Sequence, residues 1–115
     1  MSEAQVLELD DANFDDEVYG CDQPVLVECF TEESYTCREL SGIVDDLAEE
    51  YAGKVRIGRL DIEANWQTAQ SLDVSNVPTV LLFQNDRIVE RIVDAKTREE
   101  YRQALNELIS QYWVI

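Results

Sequence analysis

Ser34 and Cys37 stand three positions apart in S-Y-T-C, where an apolar run gives way to residues with helical spacing. A thiol in the first turn of a helix faces unpaired backbone N–H groups and the positive end of the helix dipole. Both favour the thiolate, which is the form that attacks disulfides. Ser34 cannot do the same work, because a hydroxyl is far too weakly acidic to replace a thiolate in exchange; it is instead a good helix N-cap. Glu28 is the second residue of interest, since it interrupts the run Val25-Leu26-Val27 and Cys29-Phe30. A carboxylate there must stay protonated, find a cation or face a wetted pocket. Arg59, in the apolar segment Lys54–Ile62, is the candidate cation, and a plain buried ion pair is the structural alternative to a chemical role.

Positioning these groups requires a buried strand feeding directly into a helix. The run from Pro24 to Phe30 is too short for a membrane span and rich enough in branched residues for a strand covered on both faces. Leu40, Ile43, Val44, Leu47 and Tyr51 recur at spacings of three and four, predicting a long helix after Cys37 that ends at Gly53, with Gly42 as a weak point for a bend. Upstream, Val6–Leu9 reads as a short strand, Asp10 or Asp11 as a cap, and Asn13–Tyr19 as a helix. Downstream, the pattern predicts a strand over Lys54–Ile62, a short helix over Ala64–Leu72 and a strand over Val80–Phe83. Asn85-Asp86 is a hairpin turn, Arg87–Val93 its partner strand, and Thr97 with Glu100 a capping box for a last helix. The order β-α-β-α-β-α-β-β-α gives a central mixed sheet flanked by helices. Tyr112–Ile115 forms an apolar tail that packs on that last helix or meets a partner.

Charge and composition exclude several classes. A formal net charge of -16, from 25 acidic and 9 basic residues, opposes binding to nucleic acid or an anionic membrane surface. Met1–Gln5 has neither the basic start nor the apolar stretch of a signal peptide, and no segment approaches a membrane span, so a cytoplasmic protein is expected. The three cysteines, at 21, 29 and 37, lie at no metal-ligand spacing, and with no histidine a zinc site is not expected. A strand of about seven residues spans about 23 Å, which places Cys21 at the far end from Cys37 and rules out a bridge between them. Cys29, in mid-strand, reads as a small core residue.

Strand, polar link, S-x-x-C and helix together resemble the active-site segment of the thioredoxin family, whose motif is C-x-x-C. Val77-Pro78-Thr79 is similar to the family's cis-proline segment, and the resemblance extends over nearly the whole chain. It implies a thioredoxin fold of α/β class in a single domain over residues 1–115. The implied activity is thiol–disulfide exchange in cytoplasmic redox homeostasis, with a protein thiol or disulfide as partner and a thioredoxin reductase or glutathione as redox partner. No organic cofactor, metal or nucleic acid is implied, and a monomer is expected. By the same resemblance Cys37 takes the resolving position, Ser34 the nucleophile position and Glu28 that of the buried acid. Tyr35, Thr36, Val77, Pro78 and Asp94 then line the substrate surface.

The departures matter as much as the matches. Glu33 stands where the family has an exposed tryptophan, Tyr35-Thr36 replace a glycine–proline pair, and Asn76 and Asp94 replace glycines. Neither Trp66 nor Trp113 stands where the missing aromatic would. Ser34 is either the natural residue, leaving Cys37 to act as a single thiol, or a laboratory replacement of cysteine. The rival class is a non-catalytic binding module that takes an extended or basic segment in an acidic groove. A buried, inert Cys37 would favour it.

Overall fold

The computed structural model describes residues 6–113, with the backbone alone for residues 112 and 113; the apolar tail over Tyr112–Ile115 therefore lies outside the described side chains. Its elements run β1 (Leu7–Leu9), a single π-helical turn (Asp15–Tyr19), β2 (Val25–Phe30), α1 (Tyr35–Glu50), β3 (Arg56–Asp61), α2 (Trp66–Ser71), β4 (Thr79–Gln84), β5 (Arg87–Val93) and α3 (Arg98–Trp113). The five strands form one sheet in the order β1-β3-β2-β4-β5. β3 is parallel to both β1 and β2, whereas β4 is antiparallel to β2 and to β5, so β2 is the central strand of a mixed sheet. This is the α/β architecture expected from the sequence.

The alternation of side chains along β2 sorts the core into two layers. Leu26 and Glu28 point toward α1 and α3, where Leu40, Val44 and Leu47 meet Tyr101 and Leu105. Val25, Val27 and Cys29 point the other way, against Phe14, Val18 and Leu72. Each fully buried Leu or Val contributes roughly 1.5–3 kcal/mol, so a sheet covered on both faces holds the site end of β2 rigid.

Two elements differ from their sequence reading. The segment expected as a helix over 13–19 closes as a π turn, in which the Gly20 N–H donates to the Asp15 C=O at 3.2 Å. Asp10 supplies the expected cap, its Oδ1 accepting from the backbone N–H groups of Ala12 and Asn13. Asp11 instead reaches across the fold to the N–H and hydroxyl of Thr68. The helix expected over 64–72 is shorter, because Asp61 Oδ1 accepts from the N–H groups of Glu63 and Ala64 and holds that stretch as a turn. Elsewhere the signals hold. Gly53 adopts φ +82° after α1, Asn85 and Asp86 sit at φ 55° and 68° as a two-residue hairpin turn demands, and Thr97 and Glu100 bond each other's backbone N–H. α1 runs through Gly42 without a break.

Candidate functional site

The site end of the molecule lies where β2 stops. Thr31–Glu33 turn the chain, the Ser34 N–H donating to the Thr31 C=O at 3.3 Å, and α1 begins at Tyr35. Ser34 is the N-cap that its residue type predicts: its backbone is extended and its Oγ accepts from the Cys37 N–H at 3.1 Å. That bond satisfies one of the otherwise unpaired donors of the first turn and fixes Cys37 over the end of the sheet. The Cys37 side chain is buried, with 1% of its surface exposed. Tyr35, by contrast, is 66% exposed, and Thr36 and Glu33 are exposed as well. The first turn of α1 thus folds its thiol inward and presents the two intervening residues.

Beneath that turn Glu28 is completely buried. Its register partner on β3 is Arg59, which explains their meeting, since paired residues of adjacent strands point to one face. Arg59 Nε donates to Glu28 Oε1 at 2.8 Å, and the Ser41 hydroxyl lies 3.0 Å from Oε2. Burial pushes the Glu28 carboxyl above its ordinary range, while the Arg59 bond and charge and the Ser41 hydroxyl pull it back. Arg59 extends outward to Asp45 Oδ1 at 3.1 Å, so the acid belongs to a chain of charges that reaches solvent. Both Glu28 oxygens are taken, and neither bonds the Cys37 sulfur. The link runs instead through Ser41, whose hydroxyl is also 3.0 Å from the Cys37 C=O. With one proton, that hydroxyl donates to the carboxylate or to the carbonyl, not to both.

The sequence reading missed Ser41 and Asp45. Their signal was available, because the two residues stand four and eight positions after Cys37 and so share its helix face.

On the neighbouring strand the Val77–Pro78 peptide bond is cis. Pro78 is buried and Val77 half-buried, directly before Thr79, the register partner of Cys29. Among the described residues the Val77 N–H and C=O have no hydrogen-bond partner. Asp94 joins this corner: its N–H donates to the Pro78 C=O at 3.0 Å, at a φ of 70° that suits a glycine better than most residues. Trp66, given no role in the sequence reading, opens α2 at this same end and is 60% exposed.

The other cysteines fall outside this arrangement. All three are free. Cys29 is in the opposite core layer, where burial and then the neighbouring Glu28 push its thiol up to about 12. Cys21 is half-buried before β2, at the far end of the strand. Among the described residues no group of acidic and thiol side chains could hold a metal ion, and no helix is long and apolar enough to cross a membrane.

Comparison with known proteins gives a consistent picture. The family model described as Thioredoxin matches residues 5–107. A thioredoxin of Buchnera aphidicola from Acyrthosiphon pisum is 32% identical over 92% of this chain and 98% of its own length. One from Haemophilus influenzae is 30% identical over 92% and 99% of the two chains. A chloroplastic M-type thioredoxin of Pisum sativum is 31% identical over 97% of this chain and 62% of its own.

Proposed function

The chain belongs to the thioredoxin family, and from that premise we propose that it is a thiol–disulfide oxidoreductase acting on a protein partner, with Cys37 as its redox sulfur. The observation that carries this is the seat of Cys37 in the first turn of α1, above a buried acid and at the sheet end where the Val77 backbone is free. With Ser34 in place the exchange uses one thiol. The Cys37 thiolate attacks one sulfur of the partner disulfide, a new S–S bond forms as the old one breaks, and the displaced half leaves as a thiolate that takes up a proton. A second thiol, from glutathione or a reductase, then attacks the partner's sulfur of the mixed disulfide; a new S–S bond joins it to the partner as the bond to Cys37 breaks, and Cys37 leaves as a thiolate. Tyr35, Thr36, Val77 and Asp94 receive the partner, whose extended backbone meets the Val77 N–H and C=O. Glu28 handles the Cys37 proton; Glu28→Gln should slow exchange at Cys37, and an unchanged rate would remove Glu28 from the chemistry. We assign the protein to the cytoplasm, where reducing conditions keep unbridged cysteines as thiols, and expect a monomer.

One observation favours a second reading. A Cys37 only 1% exposed, under a capped turn, suits a non-catalytic module that docks a partner on this surface and uses Ser34 solely as a cap. Incubation with oxidised glutathione followed by peptide mapping separates the two. An adduct on Cys37 supports exchange, whereas modification confined to Cys21 supports the docking module.

A further inference from the structure

Among the described residues, four large apolar side chains are markedly exposed, and three of them, Tyr35 at 66%, Trp66 at 60% and Val93 at 48%, belong to segments that end or begin at the site end of the sheet. Tyr35 opens α1, Trp66 opens α2, and Val93 closes β5 as the register partner of Thr79. The Ile62 N–H donates to the Phe30 C=O at 3.0 Å, which draws the β3–α2 link alongside the end of β2. Aromatic rings and the unpaired Val77 backbone are thus offered together, and the charges among them decide what can lie there.

Those charges are predominantly negative. Glu32, Glu33, Glu39, Glu63 and Asp94 are exposed on the same segments. Arg38, the cation in the first turn of α1, is already engaged: its Nη1 donates to the Glu32 C=O at 3.1 Å and its guanidinium lies 6.0 Å from the Tyr35 ring centroid. Exposed aromatics flanked by carboxylates that form no ion pair among the described residues match the chemistry of a lysine or arginine side chain, whose charge the carboxylates attract and whose stem or guanidinium stacks on a ring. An acidic partner segment would be repelled.

We infer that this face takes an extended protein segment carrying lysine or arginine on its flanks, and that such segments are the partners of the site. This deepens the function proposed above and rests on its placement of the partner along Val77, though not on the exchange step.

Binding is read by fluorescence anisotropy with three labelled, cysteine-free decapeptides of one apolar centre and lysine, serine or glutamate flanks. The lysine peptide should bind the unaltered chain about fivefold to tenfold more tightly than the serine peptide at low salt, from two or three exposed pairs. The glutamate peptide should bind more weakly than either. At about 0.15 M salt, where the screening length is ~8 Å, the advantage should shrink. Glu33→Lys with Glu63→Lys should abolish it, whereas Asp22→Lys with Glu49→Lys, an equal change of net charge at the opposite end, should leave it. Equal binding of all three peptides would overturn the charge preference while leaving the docking face in place. Binding of none would overturn the docking face with it. Equal losses in the two paired variants would trace the preference to overall charge and overturn its assignment to this surface. Thiol exchange, failing or succeeding, leaves this measurement unmoved.

Discussion

Removing the Arg59 guanidinium should strand Glu28 as a buried carboxylate, at a cost that depends on pH. Arg59→Met keeps much of the apolar stem but deletes the 2.8 Å bond to Oε1 and the 3.1 Å bond to Asp45. Breaking a fully buried pair costs roughly 3–5 kcal/mol. The Arg59 side chain is 23% exposed, which favours the low end, and the outer pair with exposed Asp45 adds at most about 0.5 kcal/mol. A loss of about 3 kcal/mol near pH 8 follows, or roughly 12 °C in Tm at about 4 °C per kcal/mol. With the cation gone, burial dominates, and the native carboxyl rises further above its unfolded value. The native state then holds the proton more tightly than the unfolded state. Stability is fully retained below the ordinary carboxylate range and falls as pH rises toward the raised native value. The gap between native and variant chains should therefore be under about 1 kcal/mol near pH 4.5 and should widen toward about pH 8. Urea unfolding followed by circular dichroism at several pH values reads it directly, and adding Glu28→Gln to Arg59→Met should recover most of the loss at the upper end. A gap that stays constant across this range would refute the stranded carboxylate as its cause.

Three other outcomes are expected. Gly58→Ala places a Cβ 2.6 Å from Leu9 Cδ1 and 2.9 Å from Leu9 Cγ, so β1 must shift or Leu9 repack, and the denaturation midpoint should fall by about 1–3 kcal/mol worth of stability. The Glu100 carboxyl is held below its ordinary range by the Thr97 backbone N–H and hydroxyl, so its contribution is present above the unfolded value and lost as pH falls. Glu100→Gln should accordingly lower Tm at neutral pH and leave it unchanged in acid. In native alkylation with iodoacetamide, half-buried Cys21 should react first and Cys29, buried with its thiol near 12, not at all. Cys37 should react slowly, and Ser34→Ala, which deletes the cap bond worth about 1 kcal/mol, should speed that reaction about fivefold without changing Cys21.

Most of the fold was legible because its signals are local. The branched run of β2, the stripe of α1, the turn at Asn85-Asp86 and the box at Thr97 and Glu100 each follow from residue types at fixed offsets. The π turn at Asp15–Tyr19 was not, since apolar spacing over five residues does not distinguish one helical hydrogen-bond pattern from another. Burial of Glu28 and its pairing with Arg59 were legible from one charge in each of two apolar segments. For Ser41 and Asp45 only the face shared with Cys37 was legible; that this face of α1 rests on the sheet beside Glu28 and Arg59 was not. The inward turn of Cys37 was left open for a similar reason: a helix-start thiol can face solvent or core until the helix is docked.

The proposed chemistry requires that Cys37 be seated to accept a disulfide from a sulfur at position 34. Ser34→Cys, oxidised in air or with diamide and then mapped by mass spectrometry, tests this most directly. The account predicts loss of two hydrogens, a reducible bridge between position 34 and Cys37, and insulin reduction in the presence of a thioredoxin reductase. An introduced thiol that stays free, or that pairs with Cys21 or Cys29 instead, would contradict it.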